Sequence, residues 1–179
     1  MDLRTLVDGR ECGECTACCK HLTIDSEELK KLPGILCEHC TEGKGCGIYE
    51  QRPSVCRNWY CAWRMLDNFD DGWRPDRSGV MVELAQGELP PGYNVGLKFT
   101  LIDNARYSAE FVRVVSAYVD AGAAVFILVQ GKPGHASGKT FINDNMHDAA
   151  KRRSFEECSK HVAMAVQAAA NHNGEPIEL

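Results

Sequence analysis

The chain has 179 residues, 44% of them hydrophobic and 25% charged, with a formal net charge of −5. That length suits one ordinary domain or a small domain beside a medium one, and the composition excludes a disordered chain. The acidic balance disfavours a nucleic-acid partner, since phosphate binding needs a concentrated basic surface, and the densest basic group, Lys151-Arg152-Arg153, reads as the solvated face of a helix.

In chain order, Met1–Arg10 holds two acids and no apolar run of about seven, so no signal peptide is expected. No stretch approaches the roughly 20 apolar residues of a membrane span. The expected location is therefore cytoplasmic, where thiols stay reduced. That matters because there are ten cysteines, nine of them from Cys12 to Cys61, with only Cys158 apart. In an exported chain this pattern would read as a disulfide framework; in a reducing compartment metal ligation accounts for it better.

Glu11 to Arg64 lacks sustained periodicity of 3.6 or 2 residues. A short helix is expected at Ser26–Leu32, capped by Ser26 and stopped before Pro33-Gly34, and a second from Pro53 through Cys56 toward Met65. The remainder reads as turns, with Gly13, Gly43, Gly45 and Gly47 supplying backbone freedom. Such a segment buries too little apolar surface to fold alone and calls for bound metal as a staple.

Asp67–Gly79 reads as a polar connection, which places a boundary near residue 75: a metal-binding module over 1–75 and a small α+β domain over 76–179. Val80–Ala85 and Asn94–Ile102 read as strands around the turn Pro90-Pro91-Gly92. Ala105–Asp120 reads as an amphipathic helix with Phe111, Val114, Val115, Tyr118 and Val119 inward, closed by Gly122. Ala123–Val129 fits a buried strand, and a single helix is expected from Asp144 to Asn171. The order strand, strand, helix, strand, helix makes the fold class α+β, a loop-rich cysteine module followed by a small α+β layer.

Cys12-x2-Cys15-x2-Cys18-Cys19 carries the chemistry. A two-residue spacer can set two sulfurs on one side of a turn, at the roughly 3.8 Å that tetrahedral bonds of about 2.3 Å require. Cys18 and Cys19, being adjacent, point about 100° apart on a helix and to opposite faces of a strand. They are poorly placed to share one small ion, so one is expected to join Cys12 and Cys15 while the other serves a second centre or bridges. Downstream lie Cys37, Cys40, Cys46, Cys56 and Cys61 at wider spacings. With His21 and His39 nearby, nine cysteines suffice for two four-coordinate sites with one thiol over. Two ions or one polynuclear cluster therefore account for the set better than one ion.

The first motif, followed by Gly45-Cys46-Gly47-Ile48-Tyr49-Glu50-Gln51-Arg52-Pro53-Ser54-Val55-Cys56-Arg57, resembles a bacterial and archaeal cysteine-cluster family described as zinc- or iron-chelating. In that family CxxCxxCC precedes a lone Cys and then C-x-I-Y-x-x-R-P-x-x-C-R. The resemblance spans residues 12–61 and does not reach the C-terminal region. It implies Cys12, Cys15, Cys18, Cys19, Cys37, Cys46 and Cys56 as metal ligands, with Cys61 beside them; Cys40 has no counterpart in the pattern. Similar modules occur in a flagellin lysine methylase, which keeps an enzymatic or redox iron–sulfur role as the rival to a chelating or structural one. No methyl-donor motif accompanies it here. A treble-clef-like nucleic-acid module is a third reading, and the acidic charge opposes it.

Arg52 and Arg57 flank ligand candidates and are placed to lower thiol pKa values, while Ile48, Tyr49, Trp59 and Trp63 read as a packing shell. Cys12-x2-Cys15-x2-Cys18 has the spacing of a ferredoxin-type cluster but lacks its Cys-Pro continuation, and an all-thiolate set suits zinc equally. The cofactor is thus zinc or iron, including a 4Fe–4S cluster. Gly138-Lys139-Thr140 lacks the earlier glycine of a phosphate loop, since Pro133 stands there, and the 131–138 segment reads as a flexible loop, a cover for a site. His135 and His147 read as exposed, and Cys158 as a core thiol on a helix stripe. No catalytic constellation is recognised. The expected function is a metal-binding protein whose partners are metal ions and a protein.

Overall fold

A computed structural model describes residues 6–85, 87, 89–103, 107–172 and 174–179. Its first sixty residues are a string of very short elements. Helix α1 (Ala17–His21) carries Cys18 and Cys19, and is followed by the hairpin β1 (Ile24–Asp25) and β2 (Lys30–Lys31) and then the hairpin β3 (Cys40–Thr41) and β4 (Gly45–Cys46). One-turn helices α2 (Ser54–Arg57) and α3 (Ala62–Met65) come next.

Two helix expectations fail here. Ser26–Leu32 is a hairpin: Ser26 Oγ accepts from Leu29 N–H at 3.1 Å, the bond an N-cap would make, but Ser26 N–H also donates to Leu29 O at 3.0 Å and closes a turn instead. With Pro33 ahead there was room for barely one more helical turn, too little to offset helix nucleation. The helix expected from Pro53 toward Met65 divides in two, because Cys61 adopts an extended conformation and caps α3. The break lets Cys56 and Cys61 face different surroundings.

The segment read as a polar connection forms α4 (Pro75–Ser78) behind a 3-10 turn, Asp71–Trp73, and sends Phe69 and Trp73 into the main core. Gly79, at φ +67°, closes α4 and leads into the sheet. The sheet comprises β5 (Val80–Leu84), β6 (Gly96–Leu101), β7 (Ala124–Val129) and β8 (Gly138–Phe141), adjacent in that order. β5–β6 and β7–β8 are antiparallel, while β6–β7 is parallel and is joined through α5 (Ala109–Asp120). The fold is α+β, as read from the sequence.

α5 begins at Ser108, whose hydroxyl accepts from Phe111 N–H; the expected earlier start at Ala105 lies outside the described residues. β8 was not expected: it lies where the chain reads as loop end, and only its pairing with β7 makes it a strand. The 131–138 segment is tied down, with Gly134 N–H on Pro33 O and Ala136 N–H on Glu175 O. The Gly138-Lys139-Thr140 run is therefore strand, not a phosphate loop.

The expected single C-terminal helix is two, α6 (Asn143–Lys151) and α7 (Phe155–Asn171). Arg153 turns left-handed at φ +54°, and Ser154 restarts the helix by accepting from Glu157 N–H. The basic triplet thus ends α6 and forms the bend. Ser154→Ala should cost about 1 kcal/mol of stability in urea titration with an unchanged m-value; a loss near zero would show that packing alone holds the bend.

Alternation along the strands sorts the sheet's two faces. Val80, Val82, Leu97, Phe99, Leu101, Val125 and Ile127 meet α5, α6 and α7, with Trp63, Phe69 and Trp73 completing the core. Met81 points the other way and packs with Ala17, Ile102, Cys15, Cys18 and Trp59, so the cysteine-rich segment rests on the opposite face. Among the described residues no helix is long and apolar enough to cross a membrane.

Candidate metal centre

Two tight turns found the site. Cys15 N–H donates to Cys12 O at 2.9 Å, and Cys40 N–H donates to Cys37 O at 2.9 Å. Each is a Cys-x2-Cys turn that brings its two side chains to one side. The hairpin β3–β4 pairs Cys40 with Cys46 and comes so close to the first turn that a Cβ on Gly45 would stand 2.2 Å from Gly13 O. Gly45 also sits at φ +88°, so glycine is required twice over.

α1 turns Cys18 toward Met81 and Cys15, and Cys19 toward Ile24, Leu29, Cys37, Cys40 and Cys56. Their sulfurs are 3.9 Å apart. Cys37 N–H donates to Cys19 O, fastening the second turn to α1. α2 brings in Cys56, held by Ser54, whose N–H and hydroxyl both donate to Glu28. Cys61 enters from the cap of α3. All nine cysteines line one cavity of about 440 Å³, together with Tyr49, Arg52, Trp59, Tyr60 and Arg64.

Every sequence-predicted ligand candidate, Cys12, Cys15, Cys18, Cys19, Cys37, Cys46, Cys56 and Cys61, is therefore at this cavity, and Cys40 joins them. Cys40 has no counterpart in the family pattern, yet Cys37-x2-Cys40 repeats the spacing of Cys12-x2-Cys15, and that spacing is its signal in the sequence. His39 lines the cavity, whereas His21 is buried with Nε2 3.2 Å from Asp103. Cys158, 1% exposed on α7, belongs to the core under the sheet, and His135 and His147 lie away from the cavity. All ten cysteines are free thiols.

Three cations border the thiols. Arg52 lies over the Tyr49 ring at 3.9 Å and donates to Tyr60 Oη at 3.2 Å, and Arg57 holds the Arg52 carbonyl at 2.8 Å. Arg64 is 7% exposed and donates to Cys12 Sγ at 3.8 Å, as Tyr49 Oη does at 4.0 Å. Lys31, 5% exposed, donates to the carbonyls of Lys20, Leu22, Leu32 and Ile35. Sequence reading missed Lys31 and Arg64. Lys30-Lys31 looks like a surface pair until the hairpin's alternation turns the second inward, and nothing local marks Arg64.

Burial pushes Cys61 up to about 11 and raises Cys15, Cys40 and Cys56 as well. The hydrogen bond between Cys18 and Cys19 splits that pair, raising Cys18 and holding Cys19 down at about 6, where Cys40, Lys31 and Arg52 also favour the thiolate. The thiols so raised hold their protons at neutral pH, and a bound metal would have to displace them.

Among the described residues no three His, Cys, Asp or Glu side chains stand together as a ready-made ion site. The donor set is nonetheless all sulfur, which suits zinc and iron–sulfur centres alike. A scan against protein-family models gave no match to this chain, and neither curated proteins nor solved structures gave one.

Proposed function

We propose that the protein binds metal through clustered cysteine thiolates, holding zinc or iron in a reducing compartment such as the cytoplasm. One observation carries the reading: nine cysteines from five separate segments converge on a single cavity. Soft thiolate ligands select zinc, copper(I) or iron–sulfur centres over hard cations, and Lys31, Arg52 and Arg64 offset the charge that ionised thiols would carry. Metal would organise the short hairpins and present their surface to a protein partner.

A second reading is an iron–sulfur centre in a redox or enzymatic role. Donors to Cys12 Sγ from Arg64 and Tyr49 are the kind of contact that tunes such a centre.

Anaerobic purification with metal analysis, sulfide determination and a visible spectrum tests both. Stoichiometric zinc in a colourless protein supports the first reading, and iron with labile sulfide supports the second. Metal-free protein after anaerobic purification and reconstitution overturns both. Cys46→Ala and Cys56→Ala should lower metal content, while Cys158→Ala should leave it intact at a cost on the order of 1 kcal/mol in stability. Equal metal loss in all three, with the fold verified by circular dichroism, would make α7 a ligand donor and defeat the site as drawn.

A further inference from the structure

We infer that the cavity holds two metal centres with separate ligand sets: Cys12, Cys15, Cys18 and Cys61 in the first, and Cys37, Cys40, Cys46 and Cys56 in the second, with Cys19 joined to the second and facing Cys18 across the divide. This rests on the metal-binding reading and adds the partition, including a ligand role for Cys40. Each set is founded on its own Cys-x2-Cys turn, closed by the same 2.9 Å backbone hydrogen bond.

Each set also has its own scaffold. Cys15 and Cys18 pack with Ala17, Met81 and Ile102 on the sheet, and Cys61 is buried in the main core. Cys19, Cys37, Cys40 and Cys56 pack instead with Ile24 and Leu29 from the β1–β2 hairpin. Backbone geometry divides the same way. Cys61 caps α3, whose Arg64 donates to Cys12 Sγ at 3.8 Å, whereas the β3–β4 register sets Cys40 opposite Cys46.

The Cys18–Cys19 pair, 3.9 Å apart at sulfur, is the contact that crosses between the sets. That is the separation of two ligands on one ion, so the pair is placed to bridge the centres, while α1 packs Cys18 with Met81 and Cys19 with Ile24 and Leu29.

The test counts metal (zinc and iron, with labile sulfide) in anaerobically purified wild type, Cys15→Ser, Cys40→Ser and the double variant. Each single variant should lose about half of the wild-type metal and the double variant nearly all of it. Iodoacetamide alkylation mapped by mass spectrometry gives the assignment. Cys12, Cys18 and Cys61 should open in Cys15→Ser while Cys37, Cys46 and Cys56 stay protected, with the reverse in Cys40→Ser.

Total loss from either single variant, with all remaining thiols opened together, overturns the partition and leaves metal binding standing. Wild-type metal content in Cys40→Ser removes Cys40 from the site and likewise overturns the inference. A metal-free wild type overturns the underlying reading as well. Graded chelation of the wild type repeats the test without substitution: the two sets should open in separate steps, and a single concerted step overturns the inference.

Discussion

Removing metal with a chelator is expected to strip amide protection from residues 12–61 while β6 and β7 stay protected, as read by hydrogen exchange. The N-terminal hairpins are two residues per strand, and a lone hairpin of any length is marginal in water. Their own hydrophobic cluster amounts to Ile24 and Leu29 among thiols. A structural zinc site can contribute about 10–16 kcal/mol of apparent binding energy at neutral pH, more than that cluster can supply. The sheet has independent support, with Val125 and Ile127 fully buried beneath three helices. Protection over Cys12–Cys61 that is unchanged in verified metal-free protein would show that the loops fold without metal, and the stapling role would be wrong.

Phe99→Ala is expected to remove about 3–5 kcal/mol of stability, a large part of the roughly 5–15 kcal/mol that a domain possesses. Phe99 is fully buried at the centre of β6, its ring 5.7 Å from Phe111, 6.1 Å from Tyr118 and 6.3 Å from Trp73. Those rings come from α5 and from the turn before α4, so the void cannot close by moving one neighbour. Urea midpoints of the wild type and variant measure the loss. A change below about 1 kcal/mol would mean the core collapses into the space, contrary to the close packing of these elements.

Much of the sheet domain is legible along the chain because its signals are local. β5, β6 and β7 fall within a residue or two of the apolar runs that announce them, and α5 keeps its 3.6-residue stripe. The bend between α6 and α7 had a local signal too, in Ser154 followed three residues later by Glu157, but the unbroken apolar stripe on either side outweighs it. β8 had none: four residues become a strand by borrowing the ladder of β7.

For the candidate site, sequence alone determined which side chains are on offer. Clustered cysteines at Cys-x2-Cys spacing mark the two tight turns and make sulfur the available donor. Tertiary structure decided that these thiols share one cavity, to which α3 brings Cys61, and α2, held through Ser54 on Glu28, brings Cys56. It also decided that Lys31 and Arg64 are interior cations and that Phe69 and Trp73 are core. Turn geometry is set by bonds between near neighbours, so spacing reveals it. Burial and proximity between distant segments are set by which surfaces exclude water together, and no local pattern records that.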